Sequence, residues 1–324
     1  MSDIVKYTVV KKTAPNSSVP PVQPNTSEYT YVASAIKMAM AIVSSNRAKV
    51  AMLDIALRMN ENLETPIYKG NPQAQARQSV SQFLDHLKVG FPVVVIDQTL
   101  TNPDTVAYHA RGEFTPPFRP ETQGIWLNGP RVTHMVESGE NHGIPSRRKW
   151  FQIFQFMFAV AIAHEIGGHL FVTFITQGRP ITPPNITAPG YGGQQSGGES
   201  GRAFESALFG GCVEFYRNST LGDVQPGIPH ILGPDLQSRK IADDTIDSVT
   251  SYDVHTPFKT IGNPVSAEAR ISMGAGQPLP ANVGPNARHF LAAARTIPHK
   301  FAISIEELER VPQHPEIRAL SIAA

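Results

Sequence analysis

With 324 residues, 41% of them hydrophobic and 17% charged, the chain can bury a sizeable core and reads as a soluble globular protein. A net charge of +1 with no long basic or acidic run excludes nucleic-acid or membrane-surface binding driven by bulk charge. Cys212 is the single cysteine, which rules out an intrachain disulfide and any cysteine-rich zinc site.

The N-terminus, "MSDIVKYTVVKKTAPNSS", lacks the apolar core and cleavage site of a signal peptide, so the reading is cytoplasmic. Residues 13–27, rich in Pro, Ser and Asn, predict an extended segment, and residues 1–28 are taken as an N-terminal arm. From about Tyr31 to Asn62, Ile36, Met40, Val43, Val50, Leu53 and Leu57 approximate helical spacing without Gly or Pro. A second helix is expected over 73–88, after Pro72 and before Gly90.

"FPVVVIDQ" (91–98) reads as a buried strand, with further strands in "TVAYHARGEF" (105–114) and "QGIWLNG" (123–129). These predict a small antiparallel sheet. A long helix is expected from about Ser146 to Thr176. Its most apolar run, Trp150–Ala163, is shorter than the roughly 20 residues a bilayer needs, so no membrane span is expected. The Pro- and Gly-dense segment 178–198 must be loop, and a last strong helix should run from about Glu199 to Arg217. Residues 222–288 read as mostly irregular, with short helices possible at 288–295 and 304–310. The fold class expected is α+β and mainly α-helical, with one domain over 29–324 whose C-terminal region is irregular.

The chemistry concentrates in "AIAHEIGGHLF", residues 161–171. His164, Glu165 and His169 form H-E-x-x-x-H inside the most apolar stretch, where an unsatisfied polar trio is costly. Five residues correspond to about 500° of rotation, leaving the two imidazoles roughly 140° apart on a regular helix. A π-bulge, which absorbs one extra residue, would bring them together. Gly167 and Gly168 suit such a bulge, although each costs about 1 kcal/mol relative to alanine in a helix. A third metal ligand must come from elsewhere. Glu199, at the start of the following helix, is the preferred donor, and Glu205 is the alternative.

This pattern resembles the glutamate-zincin metallopeptidases over about residues 150–217, with one residue more between the histidines than their usual motif. The resemblance implies a zincin-like fold with a small sheet packed on a central active-site helix. It implies His164, His169 and Glu199 as zinc ligands and Glu165 as general base, and "QGIWLNG" resembles the sheet edge on which such enzymes lay an extended peptide. A zinc hydrolase of this kind acts on a peptide or small-molecule substrate. Tyr191 and His255 are candidates to stabilise its oxyanion. Two other readings stand beside it. Two histidines and a carboxylate also make the facial triad of Fe2+ oxygenases, and a metal-free polar pocket between two helices would serve a binding protein or a non-hydrolytic enzyme.

Overall fold

A computed structural model describes residues 7–15, 19–102, 105–109, 116–178, 182–189, 191, 198–216, 221 and 224–265. The fold is α+β, about 52% helical with two small sheets. The expected helices at 288–295 and 304–310 lie outside the described residues.

The first helical stretch is two helices, α1 (Ser27–Ser44) and α2 (Asn46–Asn62). Ser45 separates them. Its extended backbone ends α1, and its side chain accepts from Ala48 N to cap α2. Helix α3 spans Pro72–Val89, with Pro72 in its first turn and Asn71 as N-cap.

The first sheet holds β1 (Val9–Lys12), β2 (Val93–Asp97), β3 (Ala107–Tyr108) and β4 (Gly124–Asn128) in the order β1-β2-β4-β3. Two expectations change here. The sheet is mixed rather than antiparallel: β2 runs parallel to both β1 and β4, and only β3 is antiparallel. The three helices between β1 and β2 return the chain in the same direction, as a parallel pair requires. The arm expected over 1–28 is also no free segment, because Val9 and Val10 alternate onto opposite faces of the sheet and both are buried.

One face of this sheet, carrying Val94, Ile96, Ile125 and Leu127, merges into the main helical core. Its other face carries Val10, Val93, Val95 and Trp126, on which Tyr108 stacks. Strand β4 is therefore internal, and the edge position on that side belongs to β3, whose Ala107 is buried, and not to "QGIWLNG".

Asn128 closes β4 and caps α4 (Gly129–Glu140), a helix the apolar pattern did not announce. Helix α5 (Pro145–His164) then crosses the middle of the molecule, with α1 alongside it. Phe154, Phe158, Ile162 and Phe171 are all completely buried, as expected for the central helix. It continues as a π-helical turn, Glu165–Leu170, and as α6 (Phe171–Thr176). The run Pro145–Thr176 is long and apolar enough to cross a membrane by length and composition, contrary to the shorter stretch read from sequence. Yet 83% of its most apolar window is buried inside the fold, which is the environment of a core helix.

The helix expected over 199–217 stops early. Helix α7 covers Ser200–Phe209, and Gly210 follows in the left-handed region at φ 85°. "CVEFY" then forms β5 (Cys212–Tyr216), because β-branched and aromatic side chains favour a pleated, half-buried surface. Within the described residues, the segment read as irregular carries regular elements as well. It supplies β6 (Ile228–Leu232), β7 (Ser238–Ile241), α8 (Asp243–Thr250) and β8 (Thr260–Val265). These strands form a second, antiparallel sheet in the order β5-β6-β7-β8. Phe258 stacks on Phe209 and ties that sheet to α7.

Truncating the central helix removes contacts on every side. Phe158→Ala is expected to lower unfolding free energy by about 3–5 kcal/mol, measured by chemical denaturation.

Candidate metal centre

The π turn answers the spacing problem. Its six residues, Glu165–Leu170, add the extra residue between the two histidines, and the rings of His164 and His169 come to 5.3 Å between centroids. The glycines serve a second purpose. Helix α7 crosses the turn so closely that a Cβ on Gly168 would lie 2.3 Å from Gly201 Cα, and one on Gly167 would lie 2.3 Å from the Phe204 ring. A Cβ on Gly201 would sit 2.1 Å from His164 Nε2. Only backbone fits at this crossing.

That closeness delivers Glu199 to both imidazoles. Glu199 is the N-cap of α7, and its carboxylate accepts from the main-chain N–H groups of Gly201 and Arg202. Its Oε1 lies 2.6 Å from His169 Nε2, and its Oε2 lies 3.6 Å from His164 Nε2. Glu165 is close as well, with Oε1 3.9 Å from His164 Nε2. One ligand atom each from His164, Glu165 and His169 can be chosen so that all lie within 4.8 Å of one another.

The outer nitrogens are engaged too. His164 Nδ1 lies 2.6 Å from Glu205 Oε1, and His169 Nδ1 lies 3.4 Å from Ser200 Oγ. Both rings thus turn Nε2 toward Glu199 and Nδ1 toward a supporting group, an arrangement that fixes tautomer and ring orientation in metal sites. Glu205 is therefore not the alternative ligand the sequence suggested. It holds the far nitrogen of His164, accepts from Val213 N, and pairs with Arg202 at 2.9 Å.

The donor types suit a metal ion, and the ligand atoms of His164, Glu165 and His169 lie close enough together to share one. Glu199 meets the two imidazoles with different oxygens, Oε1 at 2.6 Å and Oε2 at 3.6 Å. His164 and Glu165 are buried, whereas the side chains of His169 and Glu199 keep 19% and 23% of their surface exposed, so the centre opens on that side.

The proposed oxyanion donors are not brought to this place. Tyr191 is buried, donates its hydroxyl to Glu214 Oε1 at 2.8 Å, and lies under the Arg202 guanidinium. It stands behind the carboxylates. His255 lies in the surface turn after α8, with its side chain 76% exposed and paired with Asp253. Sequence reasoning missed His109, just past β3, whose main-chain N–H donates to Glu165 Oε2 at 2.9 Å. A histidine inside a predicted strand was the only available signal, and 56 residues separate it from Glu165.

Burial opposes every charged form here, and the charges answer one another. Glu199 and Glu205 outweigh the burial of His164 and raise its pKa to about 9. Against the same penalty, His164 and His169 hold Glu199 well below the usual carboxylate range, and Arg202 and His164 do so for Glu205. Arg202 itself is held charged, chiefly by Glu205.

No family model matches this chain, and no curated protein or solved structure matches it.

Two measurements test the centre. In metal-free protein the raised His164 contributes stability fully below its unfolded value of 6.5, and this is lost as pH rises through about 9. The depressed carboxylates contribute fully above their unfolded value of 4.5, and this is lost as pH falls. The melting temperature in chelator should therefore peak between these two values and fall on both sides. Zinc should remove the alkaline decline, because the ion takes the neutral imidazole. By equilibrium dialysis, Glu205→Gln should weaken zinc binding about tenfold, and Gly201→Ala should abolish it.

Proposed function

We propose that the protein is a zinc-dependent hydrolase of the zincin type that cleaves a peptide-like acyl bond. The observation that carries this reading is the convergence of two Nε2 atoms on one carboxylate, with each Nδ1 engaged by a supporting group. His164, His169 and Glu199 would hold the ion. When bound, zinc would supply Lewis acidity, polarising an acyl carbonyl and acidifying a water molecule.

The chain's own groups do the rest. Glu165 Oε1 faces the imidazoles while Oε2 is held by the edge strand. Oε1 is thus the oxygen that takes the water's proton and passes it to the leaving group. Arg202 and Glu205 keep the imidazole of His164 oriented. The exposed flank of His169 and Glu199 admits substrate.

The Fe2+ alternative uses the same three ligands, so metal identity separates the two. Elemental analysis of wild type should give about one equivalent of zinc, reduced in His164→Ala and Glu199→Ala. Equal metal content in all three overturns the proposal, and iron with oxygen uptake replaces it with the oxygenase. Glu165→Gln should keep the metal and lose about 10²–10⁴-fold in hydrolysis of a quenched fluorescent peptide mixture.

A further inference from the structure

The outer side of β3 does more than bound the sheet. Asn128 N donates to Val106 O at 2.9 Å, and Ala107 and Tyr108 stand opposite Leu127 and Trp126. In an antiparallel pair, hydrogen-bonded and non-bonded positions alternate. Val106 and Tyr108 therefore turn their main-chain groups toward β4, and Ala107 and His109 turn theirs outward. The outward N–H of His109 meets Glu165 Oε2 at 2.9 Å, and both residues are buried. On the same alternation the His109 ring continues the face of Ala107, which belongs to the core that holds the central helix. There its Nε2 lies 3.3 Å from Gln123 Oε1.

We propose that His109 is the positioning residue of the general base. Its main-chain N–H fixes Oε2 of Glu165, which commits Oε1 to the metal side, and Gln123 fixes the ring and hence the local backbone. The consequence is that the carboxylate is tied to the sheet: Glu165 occupies the outward donor slot at 109, so its position is set by the strand as well as by the central helix. This inference rests on the metal-hydrolase reading of the same centre.

The test needs no substrate. Acetohydroxamate chelates zinc and gives up its proton on binding, so its affinity for the zinc-loaded full chain reports a correctly placed base. Calorimetry should show weaker binding in Glu165→Gln. It should show about a tenfold loss in His109→Pro, which removes the main-chain donor together with the ring at a residue preceded by extended backbone. His109→Ala keeps that donor and should lose less than His109→Pro.

In wild type the His109 amide should exchange slowly with deuterium, and Glu165→Ala should speed it about tenfold, as followed by amide-resolved exchange. This arm holds even if His109→Pro fails to fold. Absence of zinc from wild type would overturn the hydrolase reading and this inference together. Zinc binding with Glu165→Gln weakened, but with His109→Pro unaltered or His109 exchange indifferent to Glu165→Ala, would overturn the positioning role alone. Equal losses in His109→Ala and His109→Pro would also overturn it, assigning the effect to the ring. Unweakened binding in Glu165→Gln would show that Glu165 is no base for His109 to position.

Discussion

The close crossing of α7 over the π turn is the constraint on which the rest depends. Gly168 meets Gly201 backbone to backbone, so a Cβ on Gly168 would force the helices apart, and one on Gly201 would strike the His164 ring. At that separation the cap of α7 falls between two imidazoles, so one carboxylate serves both the helix N-terminus and the histidines. The glycines lower helix propensity and give up side-chain packing. What they gain is a geometry that no side chain would permit.

Around this contact the charges are arranged in layers. Glu165, Glu199 and Glu205 bring three acidic groups into a mostly buried region, and an unbalanced set of that kind would be costly. His164, His169 and Arg202 answer them. Arg202 is the hinge of the arrangement, pairing with Glu205, reaching toward Glu199 at 3.6 Å and resting on the Tyr191 ring. Tyr191 in turn joins Glu214 on β5. The second sheet thereby reaches the candidate metal centre through hydrogen bonds and a cation–π contact, although it supplies none of the proposed ligands.

Part of this was legible in the residue order. Apolar spacing located the stretch of α1 and α2 and the long central helix but not α4 or α8, the β-branched run marked β2, and H-E-x-x-x-H with two glycines called for a bulge that the structure contains. These signals are local, set by period and by backbone freedom within a few residues. The strands after Gly210 were not legible, because short alternating runs between Pro and Gly look irregular until a neighbouring strand pairs with them. The parallel direction of β1 and β2 was hidden for the same reason. Partners 85 residues apart leave no mark on local pattern.

The site divides along the same line. The residue order specifies which side chains stand in the apolar helix and that a following helix opens with a carboxylate. Only tertiary structure decided that Glu199 faces both Nε2 atoms while Glu205 takes Nδ1 of His164. It alone removed Tyr191 and His255 from the centre and brought in His109. The physical reason is that a ligand's role depends on which atom it presents and to what. That is fixed by contacts across 41 residues for His164 and Glu205, and across 56 for His109 and Glu165. No periodicity within a single segment carries such information.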